Sequence, residues 1–303
     1  MKVKDTLDIL IKEPSNLALA FYKINIFVYL RGKAGKDRTI TELLKSIGDK
    51  NSKVKDIGKK DYLECLIKSI ELKGVNDVLE RLNKLPERFK DKYDVKAVRA
   101  KVGYRFVSGM GHPSPVENGF LLHHTYGVPY ISGESIKGLV RYMYIYRHFE
   151  LEEDSSEEKL KEVKEYIKKI EAGKYKENEL QEREKLFIML FGTQKDEGKV
   201  IFFDAYPEFF NNKNLSVDVM NNHYGEYYSE KGKKPPADWY NPNPVFFLTL
   251  KDVTFIFHIG VEKHIEDGED LLNEASKLLK EGLELFGLGA KRRKGYGWFE
   301  VLG

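Results

Sequence analysis

The chain has 303 residues, 33% of them charged, and its 51 Lys plus Arg against 48 Asp plus Glu leave a net charge of only +3. That length fits two domains, or one with large insertions, and 41% hydrophobic residues with 13% aromatics exclude a disordered or low-complexity chain. A single cysteine, Cys65, excludes an intrachain disulfide and any cysteine-clustered zinc or iron–sulfur site, so a reducing cytoplasm is expected.

At the N-terminus, Asp5 and Asp8 sit where the apolar core of a signal peptide would begin, so no such peptide is expected. Ser15 or Asn16 after Pro14 predicts the cap of a helix through Leu17, Phe21, Ile24, Phe27, Val28 and Leu30, ended by Gly32 and Gly35. The apolar stretch from Phe21 to Leu30 carries Lys23 and Asn25 and is too short to span a bilayer, so no membrane partner is expected. A Lys- and Gly-rich loop near 48–60 precedes a helix with Leu63, Leu66, Ile67 and Ile70 on one side. A shorter helix with Val78, Leu79 and Leu82 follows, closed by Pro86. Residues 1–94 therefore read as a helical extension, with no cluster of His, Cys or paired acids to carry chemistry.

From Val95 the pattern changes. Val95, Ala97, Ala100, Val102, Tyr104, Phe106 and Val107 predict a strand ending at the turn Ser108-Gly109-Met110-Gly111. A loop with Pro113 and Pro115 leads to a hairpin segment at 120–127, and Ser132-Gly133-Glu134-Ser135 opens a helix with Ile136, Leu139, Val140, Met143 and Tyr144 inward. A charged helical insertion is expected at about 150–180, then a helix through Leu186 to Phe191 and a buried strand at Val200–Ala205. Residues 205–244, rich in Asn, Tyr, Gly and Pro, show no period and read as a long excursion. Strand texture returns from Val245 to Val261. An amphipathic helix through Leu271, Leu278, Leu283 and Phe286 stops at Gly287-Leu288-Gly289, and a last strand runs from Tyr296 to Leu302.

Without its insertions, the order from Val95 is strand, helix, strand, strand, helix, strand. That order predicts an α+β fold with a ferredoxin-like (RRM-like) core over residues 95–303, interrupted at about 150–180 and 205–244. Fold alone decides no function.

The near-zero net charge conceals segregation. Six acids and no base lie between Glu150 and Glu158, whereas Lys291-Arg292-Arg293-Lys294 is a compact basic run. Gly287, Gly289, Gly295 and Gly297 surround that run and allow the backbone close to a ligand, while Tyr296 lies among them. Amides and four cations together suit a nucleic-acid backbone. A second phosphate-friendly segment is the helix start at 132–141. Its amides and positive dipole end join the hydroxyls of Ser132 and Ser135, the backbone of Gly133, Lys137 in the first turn and Arg141 one turn on. No Gly-Lys-Ser/Thr closes this segment, so nucleotide hydrolysis is not assigned.

Neither a catalytic set nor a cofactor or metal site is expected. His123 and His124 are neighbours that an extended strand would point to opposite faces. His112 lies near Glu117 and could serve as an acid or base in RNA cleavage, and Pro207 separates Asp204 from Glu208.

Gly109-Met110-Gly111-His112-Pro113, Glu117-Asn118-Gly119, the run from Gly127 to Arg141, Leu190-Phe191-Gly192-Thr193, Val200–Pro207 and the loop at 287–297 together resemble the RAMP superfamily of CRISPR proteins. Asp218 to Tyr224 and the helical first ninety residues are similar, within it, to the sixth subunits of Cmr, or type III-B, effector complexes. Where the usual pattern has Pro and Ser, this chain has Ser132 and Glu134. The resemblance implies a non-catalytic subunit that holds the 3′ part of a CRISPR RNA and its duplex with target RNA. Its neighbours would be the repeated backbone subunit, the small helical subunit and a second end-capping RAMP subunit. It further implies that Ser135, Lys137 and Arg141 grip guide phosphate and ribose, with the loop at 287–297 extending the groove. The excursion, with Asn222, His223, Tyr224 and Trp239, would be a thumb that wedges the duplex or meets a neighbour. Two other readings are a metal-independent endoribonuclease using His112 or His123, and a protein-only assembly factor.

Overall fold

The computed structural model describes residues 17–19, 21, 59–70, 72–114, 117–149, 151–152, 155–222, 224, 227–228, 232–233, 235, 239 and 242–303. Leu17–Leu19 is helical, but the rest of the helix expected up to Leu30, except Phe21, and nearly all of the loop near 48–60 lie outside the described residues. In chain order the elements are α1 (Lys59–Ser69), α2 (Val75–Lys84), β1 (Tyr93–Val102), α3 (Gly133–His148), α4 (Glu157–Glu171), α5 (Glu182–Phe191), β2 (Val200–Phe202), β3 (Tyr206–Pro207), β4 (Leu215–Asn222), β5 (Asn243–Leu250), β6 (Thr254–Glu262), α6 (Gly268–Leu285) and β7 (Phe299–Leu302). No described helix is long and apolar enough to cross a membrane.

The chain divides into two compact units with interleaved segments: Met1–Asn76, Val107–Pro129 and Phe210–Lys251 in one, and Asp77–Phe106, Tyr130–Phe209 and Asp252–Gly303 in the other. These boundaries differ from a single cut after residue 94. Most of α2 groups with the strand that follows it, while 107–129 and 210–251 group with α1.

In the first unit, β4 and β5 pair antiparallel from Leu215↔Leu250 to Asn222↔Asn243. Here the excursion expected to lack regular structure proves to contain a strand. Leu215, Val217 and Val219 alternate with Ser216, Asp218 and Met220, the period of a half-buried strand. Leu63, Leu66 and Ile70 of α1 and its end are buried, as are Leu215, Phe247, Leu248 and Leu250 of the hairpin. The Asn212 side chain donates to the carbonyls of Ile67 (3.0 Å) and Ile70 (2.5 Å), satisfying acceptors that the end of α1 leaves open.

The second unit is built on an antiparallel sheet of order β2-β6-β1-β7, with β3 also paired to β6. The continuous strand texture from Val245 to Val261 is two strands, broken at Asp252, where φ is 52°. Alternation puts Phe255, Phe257, Ile259 and Val261 on one face of β6, all buried. Phe106 and Phe299 close on them with ring centroids 5.5–6.2 Å apart. Each such ring taken out of water contributes about 1.5–3 kcal/mol. Over this face lie Ile136, Leu139, Val140, Met143 and Tyr144 of α3 and Leu271, Leu272, Leu278, Leu279 and Leu283 of α6.

The two helices run antiparallel. His148 at the end of α3 faces Glu274 at 3.7 Å, whereas a Cβ on Gly282, near the end of α6, would lie 3.0 Å from Leu139. The start of α3 and the end of α6 therefore emerge at the same end of the unit. The expected charged insertion is α4. It is tied to α5 through buried Glu184, whose carboxylate accepts from Gln181 N (2.8 Å), Arg183 Nε (2.8 Å) and Tyr166 OH (3.2 Å).

Candidate nucleic-acid interface

The glycine-rich loop joins α6 to β7. Gly287, Gly289, Gly295 and Gly297 all have positive φ, as does Lys291 at 60°. Two of these glycines are required by close approach as well. A Cβ on Gly297 would meet Leu288 O at 1.8 Å, and one on Gly287 would meet Gly297 O at 2.2 Å. These contacts bring the two arms of the loop together, with Leu288 N donating to Gly297 O at 2.8 Å. The expected last strand therefore begins at Phe299 and not at Tyr296, because Gly297 turns the chain. Gly297 N donates to Arg105 O (2.7 Å), Gly103 N donates to Trp298 O (2.9 Å), and Arg105 bridges Tyr296 in parallel. The same junction explains why β1 stops at Val102 and not at Val107.

Between the stitched arms, Arg292–Lys294 forms one tight helical turn, closed by Lys294 N to Lys291 O (2.8 Å) and Gly295 N to Arg292 O (3.0 Å). Arg292, Arg293 and Lys294 are exposed, Lys291 is half-buried, and Tyr296 is buried. Arg292 also donates to Phe286 O at 3.2 Å. The backbone thus spends its glycines on its own folding and presents the cations to solvent.

The start of α3 is a different structure. Gly133 N donates to the carboxylate of Asp204 at 2.7 Å, and Ser135 N donates to Ser132 Oγ at 3.3 Å. The amides expected to meet phosphate already hold a carboxylate and a hydroxyl of the protein. Gly133 is required for packing, since a Cβ there would lie 2.1 Å from Phe202 O. Ser135 is exposed with its hydroxyl 2.9 Å from that of Ser132, and Lys137 is half-buried. Arg141 does not share an open face with Lys137. Its Nε donates to Glu171 at 2.7 Å and its guanidinium lies 5.8 Å from the Phe187 ring centroid, so α4 and α5 engage it. Negative charge gathers here too: burial, then the charges of Asp204 and Glu134, push the Tyr130 phenol up.

The remaining candidates separate. Glu208 pairs with Arg99 at 2.8 Å, away from the use made of Asp204. In the first unit, His123 Nδ1 accepts from the amides of Thr125 (3.2 Å) and Tyr126 (3.3 Å) while its ring packs 4.8 Å from that of Tyr126. That use of Nδ1 holds a turn. His112 and His124 are exposed. Of the thumb residues, Asn222 ends β4, Tyr224 is half-buried, Trp239 is 80% exposed, and His223 lies outside the described residues. Among the described residues, no group of three or more His, Cys, Asp or Glu side chains could hold a metal ion.

Gly138 belongs to the run from Gly127 to Arg141 that the sequence singles out. It lies on the exposed face of α3 between Ser135 and Tyr142, and a Cβ there would touch nothing. Glycine inside a helix costs about 1 kcal/mol relative to alanine. Its place one turn beyond Ser135 was readable from helical spacing alone.

Comparison with known proteins places these features in a family. The RAMP superfamily matches residues 99–300, which include the end of β1 and all of α3, β6, α6 and the glycine-rich loop. The CRISPR system Cmr subunit Cmr6 of Pyrococcus furiosus is 36% identical over 226 residues, covering 65% of this chain and 65% of that protein. The match therefore spans just under two thirds of that relative. Among solved structures, a chain of the type III-B Cmr-beta complex bound to cognate target RNA aligns with a TM-score of 0.62 at 24% identity, covering 99% of this chain and 96% of that one. The crystal structure of Cmr6 from Pyrococcus furiosus aligns at 34% identity and a TM-score of 0.46, over 70% of this chain and 98% of that one. The family match covers about two thirds of the chain, including much of the sheet, both packed helices and the basic loop: the protein belongs to the RAMP superfamily.

Proposed function

We propose that the protein is a Cmr6-like, non-catalytic RNA-binding subunit of a type III-B CRISPR ribonucleoprotein, and that it holds guide RNA on the loop at 287–297. The single observation carrying this reading is the exposed turn Arg292–Lys294, held between arms that the glycines lock together. Cations on a preformed turn meet phosphates without first ordering a loop, which lowers the entropic cost of binding. The core that carries the turn is ferredoxin-like. In its support, counting only β1, β2, β6 and β7 as first to fourth gives the sheet order second-third-first-fourth, with α3 and α6 as the two crossing helices.

Ser135, Gly138 and Lys137 extend the surface from the neighbouring helix start, at the end of the unit where the loop emerges. Arg141 acts in the protein, anchoring α4 through Glu171. The β4–β5 hairpin and exposed Trp239 are the thumb, directed to the guide–target duplex or to a neighbouring subunit. The partners are CRISPR RNA, target RNA and other Cmr subunits.

Purification of the protein from its host and sequencing of the co-eluting RNA tests this reading. Short RNAs sharing one repeat-derived sequence are expected. Recovery of no RNA, or of unrelated RNA, would contradict it. The endoribonuclease reading predicts cleavage of repeat RNA in EDTA that is lost in His112→Ala or His123→Ala. The proposed role predicts intact RNA, in keeping with a His123 imidazole that is already engaged in its own turn.

A further inference from the structure

Two large rings beside the basic turn remain in water. Tyr104 is 56% exposed and Trp298 is 38% exposed. Both belong to the segments that the loop glycines join, through Gly103 N to Trp298 O and Gly297 N to Arg105 O. Neither ring is a loose surface group. The Trp298 indole N–H donates to Arg292 O at 3.1 Å, which fixes the ring to the turn that carries Arg293 and Lys294. Tyr104 meets the buried Tyr296 ring edge-on, with centroids 5.7 Å apart and planes at 69°, and the Arg105 guanidinium lies 5.4 Å from its centroid.

Single exposed apolar side chains are ordinary on protein surfaces. Two propped aromatics beside three exposed cations are a different case, because every nucleobase has a π-face and every nucleotide a phosphate. Resting on the RNA-binding reading above, we propose that Tyr104 and Trp298 are stacking platforms for unpaired nucleobases of single-stranded RNA whose phosphates lie along Arg292, Arg293 and Lys294. The anchored rings lose little freedom on binding, and Arg105 beside Tyr104 strengthens the platform through cation–π attraction. Bases paired inside a duplex are stacked on one another and would not engage these rings, so the surface selects single strands. Stacking reads no base edge, so the site tolerates any sequence.

The test compares the full-length protein's affinity for a single-stranded RNA with that for an abasic ribose-phosphate chain of the same length. Tyr104→Ala and Trp298→Ala are each expected to weaken binding of the base-bearing strand about ten-fold, leaving the abasic chain unaffected. Tyr104→Phe and Trp298→Phe keep the π-face and retain most of the affinity, which separates stacking from misfolding. The proposal is overturned if the alanine variants bind base-bearing RNA as the parent does, if they weaken both chains alike, or if they lose only a protein neighbour on co-purification. Should the parent hold both chains equally while alanine at Arg292, Arg293 and Lys294 releases both, RNA binding stands and stacking falls. Binding of neither chain by the parent removes both readings.

Discussion

The start of α3 and the loop after α6 carry the same signature in sequence, glycines and cations at a helix end, yet they are opposite in structure. At the start of α3 the protein supplies its own anion, the Asp204 carboxylate on Gly133 N. In the loop, carbonyl oxygens take the stitching amides, and Arg292, Arg293 and Lys294 are exposed to water. The difference teaches that a helix N-terminus attracts phosphate only while its amides are open, and that charge on a locked turn is the better indication of a ligand.

The comparison breaks first at the glycines. Gly297→Ala would put a methyl 1.8 Å from Leu288 O at a φ of +70°, and a loss of about 4 kcal/mol or more is expected in denaturant unfolding. Gly295→Ala, at φ +87° with open space around it, should cost only the left-handed backbone penalty of about 1–2 kcal/mol. Equal losses would show that close approach does not hold the arms together.

Asp204→Ala sharpens the other half. Removal of the cap should cost about 1 kcal/mol of stability, while RNA affinity stays level or rises, because an anion leaves the helix start. A fall in RNA affinity with the fold intact would assign Asp204 a direct part in binding. The smallest effect is in acid. Burial pushes the Glu184 carboxyl up, but hydrogen bonds from Arg183, the Gln181 amide and Tyr166 outweigh it and hold its pKa below the ordinary 4.5. A depressed carboxyl contributes stability that is full above the unfolded value and lost as the pH falls through the folded one. Glu184→Gln should therefore flatten the decline in stability below about pH 4.5, measured as Tm against pH.

Long periodic segments were legible. The inward stripe Ile136, Leu139, Val140 and Met143 and the run Leu271 to Leu283 predicted α3 and α6, and the aromatic alternation Phe255, Phe257 indicated a strand. The strand β4 was missed because three asparagines before and two at its end made Leu215-Ser216-Val217-Asp218-Val219 look like loop. Its alternation was present but outweighed by composition. The basic turn was legible because glycine and charge are local features. The capping of Gly133 by Asp204, 71 residues away, was not, since nothing near either residue specifies the other. The same holds for Arg141, whose spacing from Lys137 suggested a shared face until Glu171 of a later helix was seen to take its guanidinium. Local signals thus identified candidate ligands, and long-range contacts decided which were already engaged.

The most direct test of the account is the salt dependence of single-stranded RNA binding by the full-length protein, with and without alanine at Arg292, Arg293 and Lys294. Each phosphate neutralised on a single strand contributes about 0.7 to the slope of log K against log salt. The substitution of three contacting cations should therefore reduce the slope by about 2 and weaken binding most at low salt. An unchanged slope and affinity in a folded variant would contradict the claim that this turn is the RNA-binding surface.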